Sequence, residues 1–137
     1  MPEPLVAVTR GDLIESVHRG HIVVTDESGS IIFCLGDPSF NLCLRSCAKP
    51  LQALPVIATG AEGGYALSLM EKGWGVAIKI EDGSNRALSP AVIETLSQLG
   101  MLSADEAMRL QPYHQTSIYN HRKEIVGEVR ACFHLTG

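Results

Sequence analysis

Aromatic side chains are scarce in this 137-residue sequence: three Phe, three Tyr and one Trp make up 5% of it. So few rings leave little surface on which nucleic-acid bases could stack. An excess of positive charge is missing too, since eleven Lys and Arg stand against fifteen Asp and Glu for a net charge of −4. That balance argues against a nucleic acid or an anionic membrane as partner. No stretch approaches the roughly 18 uninterrupted apolar residues of a transmembrane helix. Met1-Pro2-Glu3-Pro4 lacks the basic start and apolar run of a signal peptide, so the expected compartment is the cytoplasm. In that reducing setting the four cysteines, Cys34, Cys43, Cys47 and Cys132, read as free and mostly buried thiols rather than disulfides.

What is present is an ordinary globular composition, 45% hydrophobic and 19% charged, and enough chain for one domain over residues 1–137. Strand-like segments come first: Leu5 to Val8, Leu13 to His18, Ile22 to Thr25 and Ile31 to Leu35, the last two joined by the turn residues Asp26-Glu27-Ser28-Gly29. His18 and His21 then flank a turn and read as a strand-end polar pair. Gly36-Asp37-Pro38 breaks the meander, and Leu51, Leu54 and Ile57 recur at helical spacing in a segment that also holds Pro50 and Pro55. Tyr65 to Met70 and Trp74 to Ile80 predict a second hairpin across Glu71-Lys72-Gly73. Ser89-Pro90 predicts an N-cap and first-turn proline for a helix that Gly100 closes. Ser103-Ala104-Asp105-Glu106 matches the capping box of a short helix through about Leu110. Beyond it, Ile125, Val126, Val129 and Phe133 predict one edge strand.

Chemistry centres on Ser46 and Lys49. Three residues apart on a helix, they project from one face, so the lysine amine reaches the serine hydroxyl. Burial against apolar neighbours such as Leu51 and Leu54 lowers a lysine's pKa toward the range of a general base, which would activate Ser46 for attack on a carbonyl. Arg45 supplies the forked geometry that holds a substrate carboxylate. The spacing alone is unspecific: eleven serines and four lysines produce about 0.3 such pairs by chance, and a capping serine beside a solvated lysine explains it as well. Glu81-Asp82 is read as a solvated turn, because adjacent residues of an extended segment point to opposite faces. Gly60 to Gly64 lacks the lysine of a phosphate-binding loop. Cys43 and Cys47 have no neighbouring histidine to complete a four-ligand metal set. His114, His121 and His134 receive no role.

The surrounding words are distinctive: Val8-Thr9-Arg10-Gly11, Glu15-Ser16-Val17-His18-Arg19-Gly20, Leu35-Gly36-Asp37-Pro38, and Arg45 through Pro55. Farther on come Gly60-Ala61-Glu62-Gly63, Gly75 to Gly83, Arg86-Ala87, Leu99-Gly100 and Asn120 through Arg130. Together these resemble the Rhizobium-type asparaginase II family of thermolabile L-asparaginases. The resemblance implies hydrolysis of L-asparagine to L-aspartate and ammonia, with Ser46 as nucleophile and Lys49 as base.

It also implies an α+β fold similar to the sheet domain of the serine β-lactamases and penicillin-binding proteins, an antiparallel sheet flanked by helices. The family's middle is missing here, with a junction at Gly60-Ala61-Glu62 that ends an N-terminal part (1–62) and opens a C-terminal one (60–137). The helical insert, a second serine with its partner lysine, and the family's zinc ligands go with that middle, so no cofactor is expected. The face uncovered by the lost insert predicts self-association into a homo-oligomer. The alternative to an active amidohydrolase is an inactive remnant that persists as a folded scaffold.

Overall fold

The sheet is organised around its longest strand. The computed structural model describes residues 1–41, 64–69 and 73–136. Its elements are β1 (Glu3–Arg10), β2 (Leu13–Thr25), β3 (Ile31–Leu35), β4 (Gly64–Leu69), β5 (Trp74–Ile80), α1 (Asn85–Gln98), α2 (Ala104–His114), β6 (Gln115–Tyr119) and β7 (Ile125–Ala131). The strands form one seven-stranded sheet in the order β4-β5-β2-β1-β7-β6, with β3 paired to β2. All its pairings are antiparallel. No helix among the described residues is long and apolar enough to cross a membrane.

Where the sequence suggests two short strands broken near Gly20, the structure has the single 13-residue β2. Gly20 makes no turn. It sits between Glu3 of β1 and Ile80 of β5, and a Cβ there would overlap the Lys79 carbonyl oxygen and meet Leu5 Cδ1 at 2.9 Å. A glycine is required by close strand packing, a use that reads in sequence like a break. His18 and His21 therefore do not flank a turn but lie within β2. The first half of β2 pairs with β1, the second with β3 and β5.

Alternation along β2 and β5 sends Ile22, Val24, Val76, Ile78 and Ile80 to one face, where they join Leu5, Val6, Val8 and Val129. Helix α1 packs on this face through Ala87, Leu88, Ala91 and Leu99. It begins five residues earlier than Ser89-Pro90 predicts, with Ser84 as N-cap and Pro90 inside. The lost Pro90 hydrogen bond is offset by burial, because Ala87, Ala91 and Pro90 itself are all enclosed. At its end, Met101 N–H bonds Leu96 O at 2.9 Å and Gly100 N–H bonds Ser97 O at 3.0 Å, with Gly100 at φ +68°. This double closure needs a left-handed residue, so glycine stands there.

The capping box of α2 is formed: Glu106 N–H donates to Ser103 Oγ at 3.2 Å and Ser103 N–H donates to Glu106 Oε2 at 2.9 Å. The hairpin between β2 and β3 is also built as its turn residues predict, with Asp26 Oδ1 accepting from the N–H groups of Ser28 and Ser30 and Gly29 at φ +84°. The last segment differs from expectation. β7 is an inner strand between β1 and β6, and the edge is β6, a strand the sequence does not announce.

Candidate active site

The chain leaves the sheet through a tightly specified turn. At Gly36, φ is +83° and an added Cβ would lie 2.5 Å from His21 Nδ1, so glycine alone fits. The next amide, Asp37 N–H, donates to that same Nδ1 at 2.8 Å. Asp37 Oδ1 accepts from Ser39 N–H at 2.8 Å, and the ring of Phe40 stacks on the His21 imidazole with centroids 4.5 Å apart. His21 is only 5% exposed, and its Nε2 is buried without a hydrogen-bond partner among the described residues.

The register shows where this exit lies relative to the return. Leu35 pairs with Ile22, Ile22 with Ile78, and Ile78 with Tyr65, one row straight across β3, β2, β5 and β4. The neighbouring row joins His21, Lys79 and Gly64. Thus the last residue of β3 and the first two of β4 meet the sheet at the same end, three strand spacings or about 14 Å apart. Arg45, Ser46 and Lys49 fall between them in sequence and lie outside the described residues, as do Cys43 and Cys47. Ser46 follows Leu35 by eleven residues.

Three of the sequence words quoted above converge elsewhere. Arg10, Glu15, Ser16 and His18 from the β1–β2 hairpin and Ser84 and Arg86 from the start of α1 line an open groove of about 500 Å³. Arg10 is held by Glu15 through hydrogen bonds of 3.2–3.3 Å. His18 Nδ1 lies 2.6 Å from Asp82 Oδ2, while Asp82 Oδ1 accepts from Ser84 N–H at 3.1 Å. Asp82 is therefore no partner of Glu81 in paired-carboxylate chemistry; it links β2 to the helix start. Burial opposes its ionisation, but the hydrogen bonds from His18 and Ser84 and the charge of His18 together hold its carboxyl below the ordinary range.

A depressed carboxyl contributes stability that is present above the ordinary carboxylate range and is lost as pH falls through it. With Asp82 half-exposed, Asp82→Asn is expected to cost about 0.5–1 kcal/mol at pH 7 and nothing at an acid pH low enough to protonate the wild-type carboxyl. Urea midpoints of both proteins at the two pH values check this. A gap that is the same at both would contradict it.

The remaining candidates are structural. His114 Nε2 lies 2.6 Å from Glu94 Oε2 and ties α2 to α1. Cys34 Sγ donates to Gly36 O at 3.9 Å, and burial pushes the Cys132 thiol up despite the nearby Arg130 and Arg19. Among the described residues no three His, Cys, Asp or Glu side chains converge in a way that could hold a metal ion. Sequence reasoning missed the His18–Asp82 pair and the docking of the β3 exit on His21. The first was within reach, because both residues sit in quoted words; no local signal marks the second.

The fold is mixed α+β: an antiparallel sheet with α1 packed on one face, α2 against α1, and a chain exit and return at one end. A family model described as L-asparaginase II matches the chain in two blocks, residues 6–61 and 56–131, and the chain belongs to that family. No curated protein matches it.

Proposed function

We propose that this chain is an L-asparaginase-type amidohydrolase that works through Ser46 and Lys49. The observation that carries this reading is the family match over residues 6–61, which takes in Arg45, Ser46 and Lys49 together. In the reaction Lys49, as the neutral amine, takes the proton of Ser46 Oγ while the oxygen attacks the side-chain amide carbon of L-asparagine. Backbone N–H groups receive the negative charge on the carbonyl oxygen. Lys49 then passes the proton to the departing nitrogen, ammonia leaves, and water hydrolyses the aspartyl ester to L-aspartate. Arg45 orients the substrate's α-carboxylate.

The pairing of β1 with β7 supports a single domain, since residues 6–8 and 129–131 share one ladder and the sheet draws its strands from both parts of the chain. It also fits a sheet built from both chain ends, as in the serine β-lactamase and penicillin-binding-protein fold.

One observation favours a second reading. The two matched blocks overlap at residues 56–61, beside the junction at Gly60-Ala61-Glu62, as a lost central region would leave them. A chain without the family's second serine–lysine pair is then a folded scaffold with no turnover, because groups that act as a unit fail together. Asparagine-dependent ammonia release by the purified chain, beside Ser46→Ala, decides between them. The amidohydrolase reading expects turnover in the wild type and at least a thousandfold less, about the loss seen when a nucleophile is removed, in the variant. Two folded, equally silent proteins would leave the scaffold reading.

A further inference from the structure

We propose that His21 makes the turn after β3 an acid-sensitive latch: its neutral imidazole holds residues 36–40 against β2, and a second proton on the ring lets them go.

The bond that closes the latch fixes the protonation of the ring. Asp37 N–H can only donate, so Nδ1 accepts it and carries no proton, and the single ring hydrogen sits on Nε2. Among the described residues nothing receives that hydrogen. A second proton has only Nδ1 to go to, and there it would face the Asp37 N–H head-on. It would also leave an unpaired charge on a buried ring. Such a charge is costly, so the proton and the closed turn exclude each other. A phenyl ring would stack on Phe40 equally well and leave no orphan donor, so packing does not account for histidine here.

The rest of the turn hangs on the same ring. Gly36 passes so close that a methyl group would strike Nδ1. Phe40 stacks on the ring with its plane tilted by 19°, and its own N–H donates to Asp37 O at 3.3 Å. Residues 36–40 therefore move as a unit when the ring lets go of Asp37. Four titratable or charged groups surround the ring. Lys79 is its register partner on β5, and Arg19 stands two residues back on β2 and donates to Pro2 O at 3.4 Å. Asp37 brings the turn's carboxylate, engaged with Ser39 N–H, and Cys34 of β3 donates to Gly36 O. The two cations oppose a further charge on the ring and the carboxylate favours it.

Linkage gives the direction. The open turn binds one proton more than the closed one, so acid favours opening. An imidazole released into water takes that proton in the ordinary histidine range, near pH 6.5, and each pH unit below it multiplies the opening constant by about ten. Exchange of the Asp37 amide with solvent reads that constant. Corrected for the intrinsic pH dependence, its protection in the full chain is expected to be flat above about pH 7.5 and to fall about tenfold per pH unit below about pH 6. The Phe40 ring resonances, displaced by the stacked imidazole, should relax over the same range. The Cys132 amide, which donates to Leu5 O at 2.9 Å away from the turn, should keep its protection. His21→Asn places Oδ1 where Nδ1 was, an acceptor that does not titrate, and its turn should stay closed in acid. His21→Phe keeps the ring without the acceptor, and its turn should stay open throughout.

Wild-type Asp37 protection that stays flat from about pH 8 to about pH 5 overturns the proposal without any variant. So does a fall shared by Cys132, which would mean that the whole sheet gives way. A His21→Asn protein whose Asp37 amide is lost over the same range would pass the switch to the Asp37 carboxylate and overturn it as well.

Discussion

Lys49→Met is expected to lower kcat for asparagine hydrolysis by about three orders of magnitude, the middle of the range for loss of a general base, while leaving the fold intact. Methionine nearly matches the length of lysine but has no amine. The variant therefore loses the acceptor for the Ser46 proton and the donor for the departing nitrogen in one change, whereas its apolar bulk remains. Because a single group serves both half-steps, rescue by raising pH should be weak: hydroxide in bulk water replaces a general base but not the acid that protonates the leaving group. Steady-state ammonia release with melting curves checks it. A Lys49→Met protein with kcat within tenfold of wild type would remove Lys49 from the mechanism.

Gly20→Ala is expected to give the largest loss of stability of any single methyl addition in the described sheet apart from Gly127, at about 3 kcal/mol or more. At Gly20 the added Cβ overlaps a backbone carbonyl oxygen of β5, and the strands must separate to admit it. The neighbour cannot rotate away, since it belongs to the ladder that pairs His21 with Lys79. Leu5, fully buried and 2.9 Å from the new atom, closes the other direction. Gly75→Ala is the control, because its Cβ meets nothing closer than the Thr25 hydroxyl at 3.2 Å. Urea denaturation should show Gly20→Ala shifted far below wild type and Gly75→Ala close to it. Equal shifts would mean that strand spacing at Gly20 is looser than described.

The elements legible in the sequence are those whose chemistry is local. Asp26 to Ser30 make a turn because one carboxylate reaches two amides within four residues. Ser103 and Glu106 cap α2, and Gly100 ends α1, for reasons contained in one helical turn. The misread elements depend on distant partners. Gly20 looks like a break until β5 is placed beside it. Pro90 looks like a first-turn residue until the burial of Ala87 and Ala91 pulls the helix start back to Asn85. β6, Gln115-Thr116-Ser117-Ile118-Tyr119, has one aliphatic residue and is a strand because β7 pairs with it.

The site divides along the same line. Arg45, Ser46 and Lys49 are adjacent in sequence, and a spacing plus a family resemblance names them. The turn after β3 joins Asp37 and Phe40 to a histidine 16 and 19 residues away, and only the fold brings them together.

The measurement that tests the central claim most directly is mass spectrometry of the wild-type chain quenched in acid during turnover of L-asparagine. The account predicts an added aspartyl group on the peptide that carries Ser46, absent without substrate and absent in Ser46→Ala. Ammonia release with no acyl group on that peptide, or with the group on another residue, would contradict it.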